Sequence, residues 1–158
     1  MSMQDFFTRQ RQSAGRLLVL LQFGVLLLMA SVALPQAWVQ GVPGISAVLL
    51  LLALLLGLWT LAHNRFGNFN IHPAPKMTGA LVTSGPYRWI RHPMYSSVLL
   101  AAAALAPLLP LWLALLTFFA LFAVLLTKAR LEERWLGEWY PQYADYCLRS
   151  KRFLPWLL

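Results

Sequence analysis

Residues 85–95 read Gly-Pro-Tyr-Arg-Trp-Ile-Arg-His-Pro-Met-Tyr, a basic and aromatic segment set between long apolar runs. A connector that only joined two membrane helices would not need this chemistry. Each proline fixes its own φ and biases the preceding residue away from the helix. Gly85-Pro86 and His92-Pro93 therefore read as two corners, with Pro93 suited to open the next helix at its first position. Between them, His, Arg and Tyr side chains are held in set directions, as a polar site requires. Acids are scarce: Asp5, Glu132, Glu133, Glu138 and Asp145, four of them just after the last apolar run. A carboxylate there could neutralise a cationic ligand facing the central loop. It could equally pair along a helix surface, Lys128 with Glu132 for example, contributing about 0 to 1 kcal/mol. Spacing alone favours the surface pair.

The elements that must position these groups are membrane helices. The chain has 158 residues, 59% hydrophobic and 11% charged, which is too apolar for a soluble domain of this length. Apolar runs cover about 15–34, 43–62, 94–109 and 111–129. A bilayer needs roughly 20 residues per helix, so the third, short run calls for a tilted helix or a locally thinned membrane. The expected fold is all-α and integral to the membrane. It has four transmembrane helices as two hairpins, 15–34 with 43–62 and 94–109 with 111–129. A loop over 63–93 and a cytosolic C-terminal helix and tail over 130–158 form a pocket, all in one domain.

The charges set the orientation. Every Lys and Arg lies in the N-terminal segment (Arg9, Arg11, Arg16), the central loop (Arg65, Lys76, Arg88, Arg91) or the tail from Lys128 onward. The connections 35–42 and 107–110 carry no charge. With four spans all three basic segments fall on one side, the cytoplasmic side by the positive-inside rule. Both termini are then cytoplasmic, in a multi-pass protein expected in the bacterial inner (plasma) membrane. The first run is too long for a signal-peptide core and lacks a small-residue cleavage site, so it reads as a retained span. The net charge of +8 suits helix flanks at anionic headgroups and not nucleic acid.

Single residues carry less. His72 and His92 lack the further ligands that a zinc site needs, and Cys147 is the lone cysteine, so no metal is expected. A histidine bonded to backbone or contacting a ligand is the better reading of each. The Trp and Tyr residues suit a membrane interface, or the face of a bound cation. Lys128 reads most simply as a residue snorkelling from its helix end. Ser96 and Ser97 read as small packing residues. Leu131, Trp135, Trp139 and Tyr143 recur every four residues, so the fourth span runs on as a helix until Pro141 kinks it or starts another. The aromatic tail 153–158 is expected to return to the membrane interface.

In combination the residues are more specific. Gly-Pro-Tyr-Arg-x-x-Arg-His-Pro-Met-Tyr, a following hairpin, Glu132-Glu133 and Tyr143-x-x-Tyr146 together resemble the isoprenylcysteine carboxyl methyltransferase family, related to the membrane phospholipid methyltransferases. The resemblance covers about 67–155. It implies S-adenosylmethionine bound on the cytosolic side and a lipophilic acceptor entering from the bilayer. By motif, it places His72, Gly79, Ala80, Leu81, Val82, Tyr87, His92, Pro93, Met94, Tyr95 and Glu132 at the cofactor. Lys128 stands where eukaryotic members have an Arg near the acceptor carboxylate, and Arg91 is the other residue that could orient the acceptor. Ser97 stands where the family often has Gly, and Lys cannot grip a carboxylate bidentately as Arg does.

The resemblance thus implies a membrane S-adenosylmethionine-dependent methyltransferase whose acceptor is lipophilic, with a prenylcysteine-like carboxylate as the leading choice. A phospholipid amine or a small thiol is the alternative acceptor. A non-enzymatic membrane scaffold is the alternative class. The expected partners are the lipid bilayer and the acceptor, and the sequence is silent on oligomeric state.

Overall fold

A computed structural model describes residues 3–64 and 81–155, with side chains from 13 onward. The loop positions His72, Lys76, Gly79 and Ala80 lie outside the described residues. The described chain is helical, with one isolated parallel bridge between Ile90 and Lys151. Helix α1 spans Met3–Gln40, α2 Gly44–His63, α3 Pro93–Leu105, α4 Leu111–Trp139 and α5 Tyr143–Arg149. Short 3₁₀ turns cover Gly85–Arg88 and Ala106–Leu108.

Three of these helices, over Ser13–Gln40, Gly44–His63 and Leu111–Trp139, are long and apolar enough to cross a membrane. The fourth apolar helix, Pro93–Leu108, is shorter, as its sequence run implies. Helix α1 ends later than the apolar run suggests. Pro35 sits inside it, and the turn is compressed to Gly41, Val42 and Pro43, with Gly41 at φ +82°. Proline is tolerated in membrane helices more readily than in soluble ones. Pro110 precedes α4 and Pro93 opens α3, where a missing N–H costs nothing.

The helices do not pair in sequence order. The principal contacts are α2 with α3 and α1 with α4. The two sequential hairpins are joined by short turns, but their closest packing is across them. Small residues explain the α2–α3 contact. Ser97 donates to the Ala53 carbonyl at 2.8 Å, and a Cβ built on Gly57 would lie 3.1 Å from Ser97 Oγ. Such residues let helix backbones approach where apolar burial gives no driving force. Against α4, helix α1 turns Gln22, Met29 and Ala33, and Met29 and Ala33 pack with Leu121 and Leu125 in the core. Leucines on the outer faces of α1, α2 and α4 stay exposed, as lipid contact requires. Trp38 and Trp112 are exposed together at the uncharged end, where interfacial aromatics belong.

Candidate functional site

The site forms where the N-terminus of α3, the second half of α4 and the C-terminal tail meet. Residues 156–158 of the aromatic tail lie outside the described residues, and the part before them, 150–153, packs into the protein. It runs beside residues 89–92: Lys151 N donates to the Trp89 carbonyl (2.9 Å), Arg91 N to that of Lys151 (2.7 Å) and His92 N to that of Arg152 (3.1 Å). Ser96 Oγ donates to the Phe153 carbonyl at 2.6 Å. Phe153 is buried against Phe122 (5.8 Å between rings) and His92 (6.1 Å). Tyr146 of α5 donates to the Tyr87 carbonyl at 2.6 Å, tying the 3₁₀ turn to the same frame. Gly85 takes φ +58° in that turn, and the His63 ring lies over its α-carbon where a Cβ would collide. Both facts reserve the position for glycine.

His92 is the hub. It is buried, Nδ1 lies 3.3 Å from Glu132 Oε2, and Nε2 lies 3.2 Å from Glu133 Oε1. Its ring stacks on Tyr95 at 5.4 Å. With a carboxylate on each nitrogen, both nitrogens donate and the ring is an imidazolium. Burial lowers the His92 pKa, but the hydrogen bonds and charges of Glu132 and Glu133 outweigh it and the net shift is upward. A raised histidine pKa stabilises the fold fully below the unfolded value of 6.5, and that contribution is lost as pH rises through the folded value. The thermal midpoint of the detergent-purified protein is therefore expected to fall as pH rises above about 6.5. His92→Gln should lack that slope, and an equal slope in the variant would contradict the assignment.

The adjacent acids divide. Glu133 is the inward clasp: it takes Arg91 Nε at 2.9 Å, Arg152 Nε at 3.0 and 3.1 Å, and Arg152 Nη2 at 2.6 Å. Arg91 Nη1 also donates to the carbonyls of Cys147 (3.2 Å) and Ser150. Arg91 is thus committed inside the protein, with its side chain 11% exposed. Glu132 is the more open acid, its side chain 21% exposed against 13% for Glu133. It accepts from the Tyr95 hydroxyl and lies within ion-pair distance of His92. Each carboxylate oxygen is thereby used once, and each keeps acceptor capacity. Burial first, and then the charge of Glu132, push the nearby Tyr87 phenol up to about 12, so it stays a neutral donor.

Lys128 does not snorkel and does not pair with Glu132 along the helix. It is buried, donates to Gln22 Oε1 of α1 at 2.7 Å, and lies 5.0 Å from the centre of the Tyr95 ring. Of the positions named from sequence, His92, Pro93, Tyr95, Lys128 and Glu132 come together here, with Tyr87 on the adjoining turn and Arg91 behind in the clasp. Met94 follows Pro93 in the first turn of α3, and Leu81 and Val82 lie half-buried in the irregular lead-in to the 3₁₀ turn. Glu133, Arg152, Phe153 and Gln22 have roles that sequence reasoning missed. Gln22 alone left a trace: it is the single amide within the run 15–34. Among the described residues no group of three or more His, Cys, Asp and Glu is arranged to hold a metal ion.

A helical membrane protein with a buried acid–imidazolium–arginine cluster at the charged ends of its helices fits a membrane methyltransferase. Residues 42–143 match the phospholipid methyltransferase family, and the chain belongs to it. One curated relative is the cobalt-zinc-cadmium resistance protein CzcN of Cupriavidus metallidurans, 37% identical over 82 residues. That match takes in 51% of this chain and 38% of the relative, so the likeness spans well under half of the relative's length.

Proposed function

We propose that the chain crosses the membrane four times with both termini cytoplasmic, and transfers a methyl group from S-adenosylmethionine to a lipophilic acceptor bearing an acid. The observation that carries this reading is the pair Glu132 and Lys128. They lie one helical turn apart on α4, on either side of the Tyr95 ring, which accepts the ammonium on its face and donates its hydroxyl to the carboxylate. Residues four apart on a helix are about 5–6 Å apart at Cβ. A cation-binding acid and an anion-binding ammonium are therefore side by side.

S-adenosylmethionine fits the acid. It carries a positive sulfonium and an α-ammonium, and Glu132 keeps unused acceptor sites beside the Tyr87 phenol. The group, when bound, supplies an electrophilic methyl carbon. The protein's own residues orient the cofactor through Glu132, align the acceptor through Lys128 and exclude water, and alignment can supply much of the rate. Arg91 acts through Glu133 in this scheme, holding the frame and not the acceptor. Leu81 and Val82, with His72, Gly79 and Ala80 beyond the described residues, are proposed to line the cofactor.

A carboxylate acceptor is already nucleophilic and needs no base. The family description favours a second reading, a phospholipid amine. That acceptor must lose a proton, and His92 has both nitrogens turned to carboxylates. The geometry therefore favours the acid. The test is methyl transfer from radiolabelled S-adenosylmethionine, by the protein in lipid vesicles, to a farnesyl thioether carboxylic acid or to phosphatidylethanolamine. Base-labile label in the acid supports the reading, and label in the phospholipid amine alone replaces it.

A further inference from the structure

Gln22 lies on α1, outside the segment 42–143 that matches the family, yet it holds the Lys128 ammonium. Both side chains are buried, Gln22 8% and Lys128 3% exposed, and they are 106 residues apart in sequence. Among the described residues no carboxylate forms an ion pair with Lys128. Its ammonium has three donors, and Gln22 takes one of them. The aromatic face of Tyr95 contributes attraction but no acceptor atom. The amide of Gln22 is neutral, so the ammonium has no directly bonded counter-charge, and Glu132 one turn on acts on it only through space. Burying such a charge is costly unless it is paired. A structural glue between α1 and α4 would be better made from two neutral groups, or from a lysine with an acid.

We infer that Gln22 is a specificity-determining positioning residue: it aims the Lys128 ammonium, leaves it without a directly bonded carboxylate, and so selects an acceptor bearing an anionic group that enters against α1. The inference rests on the acceptor-binding role proposed for Lys128. It adds α1 to the acceptor site and gives the reason for an amide, not a carboxylate, at position 22. An acid there would neutralise the ammonium and compete with the acceptor. An aliphatic residue would leave the ammonium unaimed. The carbonyl end of the amide is committed to Lys128, which leaves its N–H₂ end as a second donor for the same anion.

The experiment uses the full chain in lipid nanodiscs. A farnesyl thioether carboxylic acid is the probe, its primary amide is the neutral control, and each is measured with and without S-adenosylmethionine. Wild type should bind the acid at least about 10-fold tighter than the amide, as one charge-assisted hydrogen bond allows. Gln22→Glu keeps a polar partner for Lys128 and hence the fold, and should bring the ratio near one with S-adenosylmethionine affinity unchanged. Gln22→Asn, an amide one methylene shorter, should retain part of the preference. A role confined to helix packing would shift melting without moving this ratio. Full acid preference in Gln22→Glu overturns the inference. Equal binding of acid and amide by wild type that still binds S-adenosylmethionine also overturns it, and leaves the methyltransferase reading standing. Acid preference in a protein that binds no S-adenosylmethionine supports the inference and defeats the cofactor assignment instead.

Discussion

Glu132→Gln is expected to weaken S-adenosylmethionine binding about 10- to 100-fold while the protein stays folded. The figure follows from the loss of one hydrogen bond to a charged acceptor, contributing about 1.5–3 kcal/mol. Glutamine matches glutamate in shape and can still accept from Tyr95, so the local structure should hold. What disappears is the negative charge that would face the cofactor's ammonium and sulfonium. The measurement is calorimetric titration, with thermal shift as a check. A ligand at about 100 times its dissociation constant adds roughly 2.7 kcal/mol to wild type. The same concentration should add much less to the variant. Unchanged affinity in Glu132→Gln would remove Glu132 from the cofactor site, and with it the observation on which the functional reading stands.

Glu133→Ala should do the reverse: lower stability by about 3 kcal/mol and affect S-adenosylmethionine binding only through loss of folded protein. Glu133 is the shared partner of Arg91, Arg152 and His92. Removing one partner of a buried pair costs about 3–5 kcal/mol because the remaining charge is left uncompensated. The lower figure is chosen because Arg152 is 26% exposed at its side chain and can recover water. Arg152→Ala alone should cost less for the same reason, and the two substitutions should be far from additive. Melting in detergent and protease cleavage of the C-terminal tail report the loss, since the clasp holds Lys151, Arg152 and Phe153 against α3. If Glu133→Ala melts like wild type and loses cofactor binding, the two acids have exchanged roles.

The contrast between these neighbours shows where sequence reasoning stops. Glu132 and Glu133 differ by 100° around α4, and which of them faces the tail is invisible without the tail's position. The resemblance to known methyltransferases singled out Glu132. It did not separate an acid open to a ligand from one enclosed by two arginines. Arg91 shows the same limit from the other side. As a loop cation beside His92 it suits acceptor binding, and only its three protein partners reveal that it is occupied.

By itself, the sequence determined the helical class, the apolar segments, the corners at Pro86 and Pro93 and the family. These depend on properties that are local in the chain: run length, the absence of charge, the backbone restriction of proline and the short-range motif around His92. The tertiary structure decided the rest. Pairing of α2 with α3 depends on small residues meeting across helices, such as Gly57 and Ser97, and pairing of α1 with α4 on the packing of Met29 and Ala33 with Leu121 and Leu125. The site depends on contacts 41 residues apart for His92 with Glu133, 59 for Tyr146 with Tyr87, and 106 for Lys128 with Gln22. Hydropathy and charge patterns encode which residues must leave water. They do not encode which buried polar groups meet there, because that depends on how the helices rotate and dock once they are inside.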